Sequence, residues 1–336
     1  MLSHRISRRR LLEGGVLATT ALTTGLLSKI SPSSAQQQTL KLAFPDNAAH
    51  PSMRVAQGFA TNLAERTNGR FKVDVFPGGT LGSETNIVAG LQTGIVDFTM
   101  HTAGYVSSYV PAIGALDIPF LFKDKPEAQR VLAGPVGKQL ANDALAKNIV
   151  VLGWSQNGWR NVETVERAVT EPADLKNLKI RIQAGPIFAA MFKAVGAVPV
   201  VIDAADLYVA LQQKTIDGLE IPVPSSVSFK TYEIAKRIAM TRHVYNATLF
   251  MASRPKFDAM SAADHEIVRA AGAEAAAHWY ELMGEEDDKA LKFCQQNGSQ
   301  VTEANYESFR KAMAPVYDIA RSRYGDLVQK LVDAAG

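Results

Sequence analysis

In the first part of the chain the apolar positions follow two periods, one typical of strands and one typical of helices. Thr39–Phe44, Phe71–Phe76 and Val96–Met100 predict buried strands. Ser52–Thr67 and Glu84–Thr93, which lie between them, have the spacing of amphipathic helices. This order predicts two βαβ units, and therefore a parallel sheet covered by helices with right-handed crossovers.

The same alternation continues through the middle of the chain, and Leu178–Ile182 is expected to begin a second sheet. Ala128–Lys147 has a helical pattern that is broken at Gly134-Pro135. We predict further strands at Ile149–Trp154, Leu178–Ile182, Val198–Ile202, Gly218–Ile221 and Val244–Ala252, and further helices at Ile187–Val195, Asp203–Gln213 and Val227–Arg237.

One helical pattern is much longer than the others. It runs from Ala262 to Gln296 without a proline, and a helix of that length spans about 50 Å at about 1.5 Å per residue. This exceeds one lobe of the chain, whose roughly 300 residues after position 35 usually divide into two lobes. We therefore expect the helix to run behind both lobes as a brace.

The N-terminus has the pattern of an export signal. Ser7–Leu12 is a twin-arginine pattern, an apolar run follows from Gly14 to Leu27, and Ser33-Ser34-Ala35 offers small residues for cleavage. We predict that residues 1–35 are a twin-arginine signal peptide and that the mature protein is periplasmic. The apolar run is shorter than the roughly 20 residues of a transmembrane helix, so no direct membrane insertion is expected after processing.

Charge and cysteine content narrow the function classes. Residues 1–35 carry five Lys or Arg and one Glu, so 31 basic and 32 acidic residues remain of the 36 and 33 in the whole chain. This balance gives no electrostatic case for nucleic acid as a partner. The single cysteine, Cys294, excludes an intramolecular disulfide and a cysteine-rich metal site, and we expect it to be buried and inert.

No motif of an enzyme is present in the sequence. A nucleophile elbow, a P-loop, a GxGxxG turn and His/Glu or Cys/His metal spacings are all missing. Asp264-His265-Glu266 lies on the long helix, where successive residues point to different faces. We interpret Glu285–Asp288 as a solvated acidic face rather than a cation site. We therefore predict a protein that is not an enzyme and that uses no cofactor and no metal.

Seven segments resemble the solute-binding proteins of tripartite ATP-independent periplasmic (TRAP) transporters. The most specific are the run that contains Lys179–Pro186 and the run Tyr208–Gly218. The others, in chain order, are His50-Pro51, Ala56–Gly82, Leu91–Met100, Ala115–Phe122 and Asn157–Arg160. Together they cover nearly the whole chain after the signal pattern.

This resemblance implies an α/β, two-lobe periplasmic-binding-protein fold with mostly parallel sheets flanked by helices. The implied function is capture of a small organic acid between the lobes and delivery to ion-gradient-driven membrane subunits. We place lobe I at 36–154 plus 246–260, lobe II at 155–245, and the brace with the C-terminal helices at 261–336. The two hinge crossings are expected near Leu152–Gln156 and Arg242–Asn246.

Arg181 is the main candidate for ligand binding. It lies on a short apolar strand between Ile180 and Ile182, so its side chain points to the face opposite theirs. A guanidinium can form two parallel hydrogen bonds to a carboxylate. The residues alone leave a surface or salt-bridged arginine as the alternative, whereas the resemblance implies a two-pronged contact with the carboxylate.

The resemblance also implies further ligand contacts. Arg160 would supply a second charge or hydroxyl contact, and Glu220 would accept hydrogen bonds from substrate hydroxyls. Glu84 would reach polar ligand groups, although capping of its helix is an alternative. The remaining candidates, from a motif or from loops at strand ends, are Asn157, His101, Thr102 and Asn47.

One position departs from the family's pattern. The family commonly has Asn where this chain has Ile221, so the carboxylate loses one donor unless another group such as Asn157 replaces it. We therefore expect a ligand with an apolar portion near Ile221, with Trp154, Trp159 and Phe188 as possible contacts. Two alternatives to an organic-acid receptor of a TRAP transporter stay open. The protein could serve an ATP-driven importer or a sensor system, or it could be a receptor for a neutral polyol-like ligand.

Overall fold

A computed structural model describes residues 37–336 of the chain. The predicted signal peptide at 1–35 lies outside the described residues. The strands are β1 (Gln38–Ala43), β2 (Phe71–Phe76), β3 (Phe98–Thr102), β4 (Ile149–Thr164), β5 (Lys179–Ile182), β6 (Val198–Val201), β7 (Gly218–Pro222), β8 (Arg237–Ser253) and β9 (Gln300–Glu303).

Helices cover both faces of the strands. They are α1 (Ser52–Arg66), α2 (Glu84–Thr93), α3 (Ala103–Val106), α4 (Lys125–Ala133), α5 (Pro135–Leu145), α6 (Pro186–Ala194), α7 (Leu207–Gln212), α8 (Val223–Phe229), α9 (Arg254–Asp258), α10 (Ala262–Gln296), α11 (Tyr306–Met313), α12 (Val316–Tyr324) and α13 (Asp326–Ala335). The predictions for β2, α2 and α10 are confirmed to the residue. None of the helices described between Gln37 and Gly336 combines the length and hydropathy needed to cross a membrane.

Within residues 37–336, the strands form one sheet in the order β2-β1-β3-β8-β4-β7-β5-β6, with β9 paired to β8. The pairs β3–β8, β8–β4 and β4–β7 are antiparallel, and the outer pairs are parallel. The predictions of mostly parallel sheets and of a separate second sheet are therefore wrong. The sheet is mixed because the chain crosses the molecule on β4 and returns on β8, and these two long strands lie side by side.

The middle of the sheet was also the weakest part of the element prediction. The strand predicted at Ile149–Trp154 continues to Thr164, and the helix predicted at Val227–Arg237 is wrong. There, α8 ends at Phe229, the next residue Lys230 is left-handed with a φ of 59°, and β8 begins at Arg237. Polar residues in this region interrupt the alternation that would predict a strand. The backbone is nevertheless extended there, because β4 and β8 hydrogen-bond to each other.

Helix α10 contacts both lobes, which confirms the predicted brace. Trp279 and Met283 pack into the apolar cluster beneath β1, β3 and α1 in the first lobe. Further along, Ala290 and Cys294 pack against Val223 of α8 and residues of β8 in the second lobe. The burial expected for Cys294 is confirmed, and it raises the pKa of the thiol to about 12. The residue boundaries of the lobes and hinges stay predictions.

Candidate functional site

A cavity lies where the ends of β3, β5 and β7 meet beside β4. Seven predicted site residues line it, namely Glu84, His101, Thr102, Asn157, Arg160, Arg181 and Ile221. Within residues 37–336 no group of three or more His, Cys, Asp or Glu side chains is placed to hold a metal ion.

Arg181 is buried in this cavity and keeps most of its donors free. Strand β5 places Ile180 and Ile182 in the core and Arg181, which is 2% exposed, on the cavity side. The guanidinium donates from Nε to the Ile202 carbonyl at 2.7 Å and from Nη2 to the Tyr105 hydroxyl at 3.1 Å. Three of its five N–H groups therefore have no partner among residues 37–336.

Arg160 is buried as well, but Glu220 occupies its donors. Both oxygens of the Glu220 carboxylate accept from Arg160, one of them from Nη2 at 2.8 Å, and Nη2 also donates to the Glu220 carbonyl at 2.8 Å. Nη1 donates to Gln183 Oε1 at 3.3 Å. One Arg160 N–H is left, so this residue can add a single hydrogen bond to a ligand.

Glu220 itself lies behind the cavity wall, outside the lining residues, and it is fully buried. Burial raises the pKa of its carboxyl, but Arg160 and His243 outweigh burial and hold it below the ordinary value. The structure thus places Glu220 as the partner of Arg160. Its predicted contact with substrate hydroxyls is not tested and stays a prediction.

Glu84 lines the cavity from the first turn of α2. Ser83 caps this helix by accepting from the backbone of Asn86, so capping leaves the Glu84 side chain free. Burial raises the pKa of Glu84 to about 8, although Arg181 and a hydrogen bond from Tyr105 lower it. The arrangement therefore holds a carboxyl group that is mainly protonated near neutral pH.

His101 and Thr102 lie at the carboxyl end of β3, beside Gln183 at the end of β5. His101 Nδ1 accepts from the Thr102 backbone at 3.0 Å, which leaves the proton on Nε2. Burial lowers the pKa of His101 to about 3, so the ring is neutral. Thr102 Oγ1 donates to Gln183 Oε1 at 3.1 Å. Gly104 lets α3 approach here, because a Cβ at that position would lie 2.4 Å from Gln183 Nε2.

Several buried polar atoms of the cavity lining have no partner within the described part of the chain. They are His101 Nε2, Gln183 Nε2, Trp279 Nε1, Asn157 Oδ1 and both side-chain polar atoms of Asn246. Leaving such an atom unsatisfied costs about 1–3 kcal/mol. The set contains donors and acceptors, so it can hydrogen-bond to several hydroxyl groups of one ligand.

Asn47 lies outside the cavity lining and bridges the cleft. Its Nδ2 donates to the Ser228 carbonyl in α8 at 2.7 Å. Nearby, His50 Nε2 lies 3.3 Å from Ser225 Oγ, and Ser225 also accepts from Asn157 Nδ2 at 3.3 Å. We call the pairs Asn47–Ser228 and His50–Ser225 the cross-cleft latch. It joins the loop after β1 to the second lobe.

The apolar part of the lining differs from the one predicted. Ile221 and Phe229 line the cavity. Trp154 and Trp159 instead pack against the main core, and Phe188 lies under Arg160 with its ring centroid 5.2 Å from the guanidinium carbon.

Sequence reasoning missed six polar lining residues: Asp46, Tyr105, Gln183, Ser225, Asn246 and Trp279. Only Gln183 had a local signal, because it lies two residues after Arg181 and therefore continues the same face of the strand. The others reach the cavity from distant segments.

Comparison with known families decides the class of protein. The model of the bacterial extracellular solute-binding protein family 7 matches residues 45–323. The chain belongs to this family. It is a periplasmic solute-binding protein of the TRAP type, and the prediction that it is not an enzyme is confirmed.

Relatives of this family 7 protein include receptors with assigned ligands. The 2,3-diketo-L-gulonate-binding periplasmic protein YiaO of Escherichia coli is 32% identical over 88% of this chain and 90% of that protein. The chain also spans 59% of the length of a 36% identical uncharacterized protein of Sinorhizobium fredii.

Solved structures agree over nearly the whole described fold. The sugar acid binding protein DctPAm of Advenella mimigardefordensis, in complex with galactonate, has a TM-score of 0.87 and 27% identity, and the match covers 89% of this chain and 98% of that one. A TRAP periplasmic solute binding protein of Roseobacter denitrificans with bound β-D-glucuronate has a TM-score of 0.85 and 28% identity over 89% and 99%.

Proposed function

We propose that this family 7 protein binds a sugar acid or a similar hydroxylated carboxylate in the cavity around Arg181. The observation that carries the proposal is a buried guanidinium with three free N–H groups, set among unpartnered polar atoms. A carboxylate on a hydroxylated chain complements both features.

Arg181 anchors the carboxylate with two parallel hydrogen bonds. Arg160 is the weaker candidate, since Glu220 already balances its charge and takes most of its donors. Its remaining N–H adds one bond to a carboxylate or hydroxyl oxygen. This division of roles follows from donor counting, because a two-pronged contact needs two free N–H groups on one guanidinium.

The rest of the ligand lies against the unpartnered atoms of His101, Asn157, Gln183, Asn246 and Trp279. The diketogulonate, galactonate and glucuronate of the relatives each carry a carboxylate on a chain of oxygen-bearing carbons. Ile221 and Phe229 provide an apolar face, which favours a ligand with an exposed C–H surface on that side.

After capture, the closed protein delivers the acid to membrane subunits that use an ion gradient. Family membership and the TRAP proteins among the similar structures support this step. The twin-arginine pattern at Ser7–Leu12 supports export of the folded chain to the periplasm.

Thermal shifts of residues 36–336 test the ligand class. The panel contains the sodium salts of D-galactonate, D-gluconate, D-glucuronate and D-erythronate, together with neutral galactitol, glucose and erythritol as matched compounds. A ligand at about 100 times its Kd stabilises the protein by about 2.7 kcal/mol. We expect stabilisation by acids and none by their neutral counterparts. Shifts from the neutral compounds alone would contradict the carboxylate role.

Arg181→Ala identifies the anchor. Removing one member of a buried charged pair costs about 3–5 kcal/mol, so affinity for the acid, measured by calorimetry, should fall by about a hundredfold or more. Arg181→Lys should also bind weakly, because an ammonium lacks the planar fork. Arg269→Ala, which removes an exposed guanidinium of α10 outside the cavity, is the control. Unchanged affinity in Arg181→Ala would remove Arg181 from the site.

A further inference from the structure

Glu84 and Arg181 share the cavity and a common neighbour, the hydroxyl of Tyr105. A guanidinium can only donate, so the Tyr105 oxygen accepts from Arg181 Nη2 at 3.1 Å and its proton is directed to Glu84. Glu84 Oε2 also accepts from the Ala204 backbone at 3.4 Å. A carboxyl group therefore lies within electrostatic reach of the guanidinium that would anchor the ligand.

Among residues 37–336, the charges of the groups buried around the cavity leave no second cation for a bound anion. Glu220 balances Arg160 through contacts with both carboxylate oxygens. If Glu84 were ionised, its charge would balance that of Arg181 across the cavity, without a direct ion pair. A ligand carboxylate would then be a buried negative charge without a compensating positive one, which is strongly unfavourable.

We propose that the ligand's carboxylate is bound only when Glu84 is protonated, so that Glu84 makes anion binding a proton-coupled event. The inference rests on the proposed function, since it requires an anionic ligand on Arg181. A protonated Glu84 also gains one O–H donor, which it can direct to a ligand oxygen.

The groups that face Glu84 agree with this proposal. Burial raises the pKa of Glu84 to about 8, and Asp203, in the segment after β6, raises it further, whereas Arg181 of β5 and Tyr105 of α3 lower it. His101 of β3 is neutral, because burial lowers its pKa to about 3, so it supplies no positive charge to an incoming anion. A bound anion would stabilise the proton on Glu84 still more.

The sign of the pH dependence follows from this linkage. Between pH 6 and 7 Glu84 already carries its proton, and affinity for the acid should be nearly constant. Above pH 8 the free protein loses the proton while the complex retains it, so affinity should fall about tenfold per pH unit. The ligand contributes no titration of its own, since aliphatic carboxylates are ionised throughout this range.

Calorimetric titrations from pH 6 to 9.5 test the proposal, with the tightest binder among sodium D-galactonate, D-gluconate, D-glucuronate and D-erythronate as the probe. At pH 9, titrations in two buffers of different protonation enthalpy should show uptake of nearly one proton per ligand. Glu84→Gln keeps the size of the side chain and cannot titrate. It should bind with pH-independent affinity and take up no proton.

Glu163→Gln is the matched control. Glu163 is also fully buried with its pKa raised to about 8, but it lies outside the cavity lining. This variant should retain the slope and the proton uptake of the wild type. If Glu163→Gln loses the slope, the pH dependence of affinity arises from a buried group outside the cavity, and the proposal is overturned.

Two other results overturn it while leaving the proposed function intact: acid binding with flat affinity above pH 8 in the wild type, or an unchanged slope in Glu84→Gln. Absence of acid binding at every pH would remove the proposed function and this proposal together.

Discussion

Residues of the same type have different roles in this molecule because their surroundings differ. Arg160 and Arg181 both lie in the cavity wall, yet one is neutralised by Glu220 and the other keeps free donors. Glu84 and Glu220 are both buried, yet burial dominates the pKa of the first and neighbouring Arg160 and His243 dominate that of the second. Their positions could be proposed from the sequence, but their pairing depends on segments far apart in the chain.

Glu163 gives a prediction about stability at the residue scale. Burial raises its pKa to about 8, although Ser226 and Thr231 donate to Oε2 at 2.8 and 3.2 Å. The pKa of Glu163 is higher in the folded protein than in the unfolded chain, so its neutral form contributes fully to the free energy of unfolding below about pH 4.5. As the pH rises from there towards 8, this contribution falls by about 1.4 kcal/mol per pH unit.

Glu163→Gln removes this linkage. The free energy of unfolding of the variant relative to the wild type, measured in urea, should increase steadily from pH 5 to pH 8 and then level off. Glu166→Gln changes an exposed side chain of the same type, two residues after the end of β4, and should show no such trend. A constant difference across this pH range in Glu163→Gln would contradict a raised pKa.

At the scale of elements, the regular units were predictable and the crossing strands were not. Helices α1, α2 and α10 follow from their own periodicity, since each buries one face against a neighbour, and Ser83 and Ser261 cap the starts of α2 and α10. Strand β4 is different, because it contains register shifts near Val151, Gln156 and Arg160, where residues leave regular pairing with β8. Such irregularities direct Asn157 and Arg160 towards the cavity and also erase the alternation that predicts a strand.

Gly158 allows the irregularity that follows Gln156. Its φ is 85°, and a Cβ there would lie 2.5 Å from Asp287 Oδ1 of α10, which pairs with Lys125. Gly158→Ala should therefore destabilise the protein by about 1–3 kcal/mol through backbone strain, with a further loss where Asp287 is displaced. Urea unfolding measures this change.

Gly58→Ala is the control for Gly158→Ala. Gly58 lies in α1 with no atom within 4 Å of an added Cβ, so this variant should gain about 0.5–1 kcal/mol. Equal stability of Gly158→Ala and the wild type would show that β4 tolerates a Cβ at its irregularity.

At the scale of the whole molecule, α10 and the pair β4–β8 connect the two lobes, and the cross-cleft latch adds hydrogen bonds between them beside α10. A brace that packs on both lobes limits their relative motion to the bending of these connections. The predicted hinges at Leu152–Gln156 and Arg242–Asn246 lie on β4 and β8 and await a measurement of that motion.

We expect binding of the acid to bring the lobes together, with the latch stabilising the closed state. Small-angle X-ray scattering should show a smaller radius of gyration with ligand. Asn47→Asp keeps the acceptor that bonds to the Ala49 backbone but removes the donor to Ser228. Loss of a hydrogen bond of about 0.5–1.5 kcal/mol should weaken binding by about twofold to tenfold.

Asn297→Asp provides the comparison for Asn47→Asp. Asn297 Nδ2 also donates to a backbone carbonyl, that of Phe293 at 2.8 Å, but the bond stays within one end of α10. This variant should change the free energy of unfolding without changing affinity. Wild-type affinity in Asn47→Asp, or a radius of gyration that does not respond to ligand, would contradict the role of the latch.

The sequence by itself determined the features that depend on neighbouring residues. The alternating strands and helices, the length of α10 and the placement of Arg181 between two buried isoleucines all follow from local periodicity. The motifs around Lys179–Pro186 and Tyr208–Gly218 also sufficed to indicate the family, which the match over residues 45–323 establishes.

Only the tertiary structure decided how the segments combine. It joined the predicted sheets through β4 and β8, left Arg181 rather than Arg160 with free donors, and buried Glu84 beside Arg181. These outcomes depend on contacts between residues that are 60 to 120 positions apart, such as Arg160 with Glu220 and Glu84 with Ala204. Desolvation and donor occupancy arise from such contacts, so no local pattern of residues encodes them.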